Sequence, residues 1–157
     1  MSKRPKQSAG LLMFRQAGQN LQVFLVHPGG PYWSRRNEGA WTIPKGEYEE
    51  GEDLLHAARR EFTEETGFHP SGPFLELGSV RQKSGKTVVA WAFAGDCDPS
   101  LLVSNTCEIE WPPRSQRRIV ISEVDRGEWF TLGDAPTFLR EEQRPFLNRL
   151  HEHLQNG

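Results

Sequence analysis

Residues 46–68 read GEYEEGEDLLHAARREFTEETGF, and acidic side chains are concentrated in this segment. Three of them, Glu61, Glu64 and Glu65, are spaced i, i+3 and i+4, so a helix would bring them onto one surface. Like charges one turn apart destabilise a helix by roughly a few tenths of a kcal/mol per pair. The segment therefore predicts either a solvated acidic surface or a binding site for a positively charged partner.

The sequence marks both ends of this helix. Asp53 is suited to the N-cap position, and we expect acidic residues in the first turn to complement the positive end of the helix dipole. Gly67 is suited to the left-handed position that ends a helix. The helix is therefore predicted to run from Asp53 to about Thr66.

A helical wheel places the carboxylates beside the apolar face of this helix, not opposite to it. At about 100° per residue, the apolar face is formed by Leu54, Ala58 and Phe62. Glu61 and Glu65 fall on the edge of this face, and Glu64 lies further round. Free anions there are costly, and hard divalent cations prefer oxygen ligands, so the pattern favours a Mg²⁺ or Mn²⁺ site. The alternative is a solvated helix with Arg59 and Arg60 as counterions.

Strand patterns flank this helix on both sides. They cover residues 8–16, 21–27, 41–44, 74–82, 86–95, 118–122 and 128–132. The first two should form a hairpin, and two loops are predicted at residues 27–40 and 45–52. An amphipathic helix is predicted over residues 140–155. This mixture of strands and helices indicates an α/β or α+β layered domain.

Composition narrows the class of protein. The 157 residues suggest one domain, residues 1–157, with a flexible tail over residues 1–7. A net charge of −2 argues against a dedicated DNA-binding or membrane-surface protein, and no apolar run is long enough to span a membrane. The interrupted apolar patch at the N-terminus and two cysteines without metal-ligand spacing, Cys97 and Cys107, favour a cytoplasmic protein.

The spacing of the acidic segment resembles the signature of the Nudix hydrolases. That signature is Gly-x5-Glu-x7-Arg-Glu-apolar-x-Glu-Glu-x-Gly-apolar, and every fixed Gly, Glu and Arg position is matched between Gly46 and Gly67. The apolar positions hold Phe62 and Phe68, where the family more often has aliphatic residues. The WTIPKG and EWFTLGDA segments also resemble the corresponding segments of the family in sequence.

The resemblance implies a fold, a reaction and a set of ligands. It implies an α/β/α sandwich around a mixed β-sheet, which hydrolyses nucleoside diphosphate-linked compounds with Mg²⁺ or Mn²⁺. The implied metal ligands are Glu61, Glu64, Glu65 and the backbone carbonyl of Lys45. Glu64 or Glu61 would also orient the attacking water. The implied role of Arg60 is to hold a carboxylate in place, with Glu52 as the candidate.

A general base can also come from a later loop in this family. Glu123 and Asp125 are the candidates, and the alternative is that both belong to an ordinary polar loop. The segment from Trp111 to Arg114 begins a further loop that could cover the site.

Cationic and aromatic residues around the acidic segment are candidates for substrate binding. WTIPKG resembles the lead-in found in dinucleoside polyphosphate hydrolases, and Lys45 could contact a polyphosphate as a point charge. Further candidates are Arg35, Arg36, Arg81, Lys83 and Lys86 for phosphate, and Tyr32 and Trp33 for stacking on a base. Each of these residues could equally be an ordinary surface side chain.

Three functional alternatives remain open at this stage. The leading one is a pyrophosphohydrolase acting on a dinucleoside polyphosphate, and its rival is a nucleoside triphosphate pyrophosphatase. The third is a non-catalytic nucleotide or metabolite sensor on the same fold, although retention of Glu52, Glu61, Glu64 and Glu65 favours catalysis. The expected partner is a small nucleotide and not a nucleic-acid polymer or a membrane, and the chain is expected to be a monomer or a homodimer.

Overall fold

The computed structural model describes residues 7–156. The strands are β1 Gln7–Ala17, β2 Asn20–Pro28, β3 Lys45–Glu47, β4 Leu75–Arg81, β5 Thr87–Ala94, β6 Thr106–Glu110, β7 Arg118–Ser122 and β8 Val124–Thr131. The helices are α1 Leu54–Thr66, α2 Ala135–Phe138 and α3 Arg144–Asn156, with 3-10 turns at Pro99–Leu101 and Glu141–Gln143. Most of the predicted tail, residues 1–6, lies outside the described residues, whereas Gln7 already belongs to β1.

The main sheet is mixed and is organised around β1. Its strand order is β4-β5-β1-β2-β8, with β3 paired to β1. β1 runs parallel to β5 along one edge, and its other edge pairs antiparallel with β3 near Ala9 and with β2 near Phe14. The predicted β1–β2 hairpin is therefore present.

Alternation along the strands builds a separate core on each face of the sheet. Leu11 and Phe24 point into the core that contains Ala57, Ala58 and Phe62 of α1. Leu12 and Leu25 point the other way, into the core that contains Phe146, Leu147 and Leu150 of α3. Because side chains alternate across a strand, one sheet carries a helix on each side. The predicted α/β/α sandwich around a mixed sheet is confirmed.

α1 has the predicted ends. The Asp53 carboxylate accepts from the His56 N–H at 3.0 Å, and Gly67 takes the left-handed conformation with φ of 79°. The prediction of acidic residues in the first turn is wrong, because the helix begins at Leu54 and the acidic run ends before it. The carboxylates of that run therefore belong to the preceding loop and not to the helix.

The segment before the acidic loop departs from prediction. Residues 41–44 do not form a strand. Trp41 and Thr42 make isolated bridges, and the Ile43 N–H donates to the side chain of Gln143 at 3.0 Å. Since Pro44 has no N–H to donate, regular pairing resumes only in β3, inside the predicted loop 45–52.

A second, two-stranded sheet was not predicted as such: β7 coincides with the predicted strand at residues 118–122, whereas β6 was missed. β6 pairs antiparallel with β7, from Thr106 opposite Ser122 to Glu110 opposite Arg118. We call this hairpin the β6–β7 ribbon. The last strand, β8, also begins four residues earlier than predicted. The C-terminal helix starts at Arg144, after a 3-10 turn.

Candidate active site

Gly46 allows α1 to pack closely against β3. The carboxylate of Glu61 lies directly against the Gly46 backbone, so a Cβ at position 46 would overlap it and would come within 2.8 Å of Glu61 Cγ. Glu61 is 7% exposed, Glu65 is half-buried and Glu64 is exposed. The helical wheel therefore placed Glu61 and Glu65 correctly on the edge of the apolar face.

Arg60 connects three of the acidic side chains. Its Nε and Nη2 donate to the two carboxylate oxygens of Glu52 at 3.2 and 3.0 Å, a bidentate arrangement. Its Nη1 donates to Glu61 Oε1 at 2.7 Å and lies 3.5 Å from Glu64 Oε1. The contact between Arg60 and Glu52 is the one implied by the resemblance. It lowers the pKa of Glu52 and raises the pKa of Arg60.

Burial makes several of these carboxylates hold their protons more tightly than usual. The pKa of Glu61 is raised by burial and by the charge of Glu64, although Arg60 opposes the shift. Burial raises the pKa of Glu65 to about 8, against the attraction of Lys45. The pKa of Glu123 is raised by burial and by Glu64. Such raised pKa values indicate that the positive charge near these carboxylates is too small to offset their burial and mutual repulsion. Shifts of this kind are typical of functional sites.

Lys45 contacts the acidic helix through its backbone. Its N–H donates to Glu65 Oε1 at 3.1 Å, so strand β3 is anchored to α1 at this point. The pKa of the Lys45 side chain is lowered, first by burial and then by the neighbouring charges of Lys86 and Arg140. Lys45 therefore lies among cations as well as beside the carboxylates.

The structure separates the two candidates for a general base. Glu123 lies near Glu64, and the amide of Asn105, oriented with its nitrogen toward them, donates to Glu123 Oε2 at 3.1 Å and to the Glu64 carbonyl oxygen at 3.2 Å. Asp125 instead contacts the buried ring of His27, with Nδ1 at 2.9 Å from Oδ1. Of the two, Glu123 is thus the residue placed beside the acidic helix.

These side chains surround an open cleft of about 410 Å³. It is lined by Ser8, Lys45, Gly46, Glu47, Glu61, Glu64, Lys86 and Glu123. Sequence reasoning did not place Ser8, Glu47 or Asn105 in the site, because strand pairing and the ribbon bring them there from distant positions. The Ser8 hydroxyl is buried and has no hydrogen-bond partner among the described residues.

The donor set of the cleft suits a hard divalent cation. Glu61, Glu64 and Glu123 offer carboxylate oxygens, and Ser8 offers a hydroxyl that has no partner in the described part of the chain. Within residues 7–156, no three His, Cys, Asp or Glu side chains are already gathered in metal-binding geometry. Arg60 provides the positive charge between Glu61 and Glu64. A cation would therefore have to draw these carboxylates toward itself.

The aromatic and arginine-rich loop lies outside the cleft lining. Tyr32 and Trp33 pack edge to face at 5.0 Å, and the guanidinium of Arg36 lies 4.3 Å from the Tyr32 ring. The Arg36 carbonyl oxygen lies 2.6 Å from Nε2 of His27, which fixes this part of the loop. Arg35 is exposed.

Of the cations in the β4–β5 turn, Lys86 lines the cleft and Lys83 does not. Lys86 lies 3.3 Å from Glu47, whereas Lys83 is exposed and lies 3.9 Å from Glu141. Arg140 was missed by sequence reasoning: its guanidinium lies 5.8 Å from the Trp33 ring and its charge acts on Lys45. It therefore lies between the loop aromatics and the cleft.

No helix within residues 7–156 combines the length and the apolar character needed to cross a membrane.

Comparison with known proteins identifies the family. The family model for the NUDIX domain matches residues 4–150 of this chain. The chain belongs to the Nudix family. Its acidic segment, α1 and the Arg60–Glu52 pair are therefore the Nudix motif in its structural setting.

Curated relatives of this Nudix chain match about a third of its length. The RNA pyrophosphohydrolase of Caulobacter vibrioides is 51% identical over 53 residues, which are 31% of each chain. The bis(5'-nucleosyl)-tetraphosphatase [asymmetrical] of Rattus norvegicus is 44% identical over 57 residues, 32% of this chain and 39% of the relative. The matched part is thus about a third of the length of these curated relatives.

A solved structure shows the same fold over the whole chain. The Ap4A hydrolase binary complex of C. elegans superposes with a TM-score of 0.68, covering 97% of this chain and 99% of that one at 21% identity. At that identity the likeness establishes the fold alone.

Proposed function

We propose that this Nudix chain hydrolyses a diphosphate bond in a nucleotide, with water attacking phosphorus and Mg²⁺ or Mn²⁺ as cofactor. The observation that carries the proposal is the cleft where Glu61, Glu64, Glu123 and Ser8 meet beside two lysines; within residues 7–156 the Ser8 hydroxyl has no hydrogen-bond partner. The carboxylates suit a divalent cation, and the lysines suit an anionic substrate that binds to that cation.

The bound metal would supply charge neutralisation of the phosphate and a water of lowered pKa. The chain's own residues do the rest. Glu61, Glu64, Glu65 and the Lys45 carbonyl are the proposed metal ligands, and Arg60 holds Glu61 and Glu52 in position. Glu64 or Glu61 orients the attacking water.

Glu123 is the proposed acceptor of the proton from the attacking water. It lines the cleft, and its pKa is raised by burial, which makes its carboxylate a better base than an exposed one. Asp125 is a weaker candidate because it contacts His27 instead. Lys45 and Lys86 line the same cleft, and their proposed role is to bind the substrate's phosphates.

The proposed substrates are a dinucleoside polyphosphate or a nucleoside triphosphate. One curated relative is named an RNA pyrophosphohydrolase and the other a bis(5'-nucleosyl)-tetraphosphatase, and both names describe hydrolysis of a phosphate-containing nucleotide compound, which supports this class. Tyr32, Trp33, Arg35, Arg36 and Lys83 lie outside the cleft lining, so their proposed role is to contact parts of a substrate beyond the reacting phosphates.

The alternative is a non-catalytic sensor on the same fold. The presence of all the acidic residues of the motif argues against this alternative. Glu52, Glu61, Glu64 and Glu65 are all present and all lie on or beside α1. We further propose a single domain that works in the cytoplasm, which agrees with two unpaired cysteines, Cys97 and Cys107.

The test is a panel of nucleoside triphosphates and dinucleoside polyphosphates with Mg²⁺ or Mn²⁺, with products identified by chromatography. Glu64→Gln should lower kcat by about 10²–10³-fold, the size seen when one group that stabilises the transition state is removed. Stability should change little because Glu64 is exposed. Glu152→Gln, an exposed carboxylate on α3, is the matched control. Binding without turnover by the unaltered protein would support the sensor, and normal turnover in Glu64→Gln would remove Glu64 from the mechanism.

A further inference from the structure

The β6–β7 ribbon begins and ends at the proposed active site. Asn105, just before β6, donates its N–H to the Glu64 carbonyl oxygen at 2.8 Å. Glu123, just after β7, lines the acidic cleft and donates its N–H to the Asn105 carbonyl oxygen at 3.0 Å. Both ends of the ribbon are thus fixed beside the catalytic carboxylates.

The ribbon extends away from this base as a separate two-stranded sheet. Each strand has five residues, so its tip lies about 17 Å from its base at 3.3–3.4 Å per residue. One face packs on the loop that carries Tyr32 and Trp33: a Cβ placed on Gly30 in this loop would lie 2.8 Å from Ile121 and 3.9 Å from Ile109. The ribbon therefore starts at the cleft and is supported by the loop that carries Tyr32 and Trp33.

The tip of the ribbon is cationic. Residues 111–118 read WPPRSQRR, with three arginines and no acidic residue. Arg114, Arg117 and Arg118 are all exposed, and within residues 7–156 none of their guanidinium groups makes an ion pair or hydrogen bond with a carboxylate. Glu110 is the nearest acidic residue in sequence, and its carboxylate accepts instead from the Arg114 backbone N–H at 2.9 Å.

An aromatic side chain accompanies these arginines. Trp111 is half-buried at the start of the tip. Its backbone N–H donates to the Arg117 carbonyl oxygen at 2.9 Å, which closes the turn. Exposed arginines close in sequence to an aromatic ring are a combination that suits single-stranded nucleic acid, through phosphate contacts and base stacking. The net charge of −2 for the whole chain conceals this local excess of positive charge.

The distance between the tip and the cleft distinguishes two classes of anionic substrate. A dinucleoside polyphosphate holds all its phosphates in one run, next to the bond that is hydrolysed. An oligonucleotide instead carries one phosphate per nucleotide at increasing distance from its 5' end, so its later phosphates can contact the tip while its terminal phosphates lie in the cleft.

We propose that the β6–β7 ribbon binds the single-stranded body of a 5'-polyphosphorylated oligonucleotide whose terminal diphosphate is hydrolysed in the cleft. The inference rests on the proposed function and adds a substrate class to it. It departs from the expectation of small nucleotides alone, which came from the net charge.

The test compares a nucleoside triphosphate with a 5'-triphosphorylated single-stranded RNA of about ten nucleotides, within the range of single-strand site sizes. The triple variant Arg114→Gln/Arg117→Gln/Arg118→Gln should keep the kcat/KM of the unaltered protein for the triphosphate and lose about tenfold or more on the RNA. For the RNA, the slope of log(kcat/KM) against log[salt] should become shallower by about 2, since each lost single-strand phosphate contact contributes about 0.7.

A matched pair of single variants controls for the loss of charge alone. Arg117→Gln should weaken RNA hydrolysis. Arg59→Gln should not, because Arg59 is exposed on α1 about 160° round the helix from Glu61. Equal effects of the triple variant on both substrates, or an unchanged salt slope, would overturn the proposal.

Failure of the proposed function is distinguishable from failure of this inference. If the unaltered protein hydrolyses neither substrate, fluorescence anisotropy with a 3'-labelled, 5'-triphosphorylated RNA still tests the ribbon. Tighter binding by the unaltered protein than by the triple variant would support the ribbon as a binding surface without catalysis, and equal binding would refute it.

Discussion

Gly46→Ala should damage the active site by displacing one carboxylate. The new Cβ would overlap the Glu61 carboxylate and lie 2.8 Å from its Cγ, so the Glu61 side chain must move. Such overpacking costs about 1–3 kcal/mol. Alanine also reduces the conformational freedom of the unfolded chain, which stabilises the folded state by about 0.4–1 kcal/mol because Gly46 does not require a positive φ. The net loss of stability is therefore about 1–2 kcal/mol.

The effect on catalysis should be larger than the effect on stability. Moving Glu61 would break its 2.7 Å contact with Arg60 and shift a proposed metal ligand. A displacement of about 1 Å in a catalytic group can cost about 10²-fold in rate. The assays are kcat across a Mg²⁺ titration and urea unfolding. Gly133→Ala is the control, since the nearest atom to its new Cβ, Thr131 Oγ1, lies 4.0 Å away.

A double-mutant cycle isolates the proposed cause. Glu61→Ala removes the group that the new methyl would meet, so Gly46→Ala should cost almost nothing in that background. The same 1–2 kcal/mol loss in both backgrounds would show that position 46 acts through something other than Glu61. Normal kcat and Mg²⁺ dependence in a folded Gly46→Ala variant would refute the placement of Glu61 in the site.

Two other predictions concern buried polar groups. Because burial raises the pKa of Glu65 to about 8 in the folded state, its protonated form favours folding. In EDTA, this contribution is complete below the unfolded pKa of about 4.3 and is lost as pH rises toward 8, at up to about 1.4 kcal/mol per pH unit. Glu65→Gln should flatten this dependence in urea unfolding, and an identical pH profile would contradict the shift. Gln143→Leu should lower unfolding free energy by about 1–3 kcal/mol, because the buried Ile43 N–H loses its acceptor. An unchanged urea midpoint would show that this hydrogen bond is dispensable.

Local signals were sufficient for α1 and for the first hairpin. Asp53 and Gly67 act on their immediate neighbours, so capping could be predicted from the order of residues alone. Alternation in β1 and β2 likewise identified two strands whose partners are adjacent in sequence. The Nudix spacing further predicted which carboxylates share one side of the helix.

Contacts between distant segments were beyond these signals. The Ile43 N–H donates to the side chain of Gln143, which is 100 residues away in sequence. This N–H is therefore not available for strand pairing in the segment 41–44, where a strand was predicted. β6 was missed because it reads TCEIE, with two glutamates, a residue type depleted in strands, whereas β7 in the same ribbon reads RIVIS and was predicted. Ser8 was assigned to an ordinary strand, and only the packing of β1 against β3 places its hydroxyl in the cleft.

The sequence by itself determined that Glu61, Glu64 and Glu65 would converge, because helical pitch fixes the relation of residues three and four apart. Only the tertiary structure decided what meets them. Folding brings Glu123 to these carboxylates from just after the return strand of the ribbon, and Lys86 from the β4–β5 turn. The physical reason is that helix geometry depends on neighbours within one turn, whereas sheet order and packing depend on which distant apolar faces bury one another.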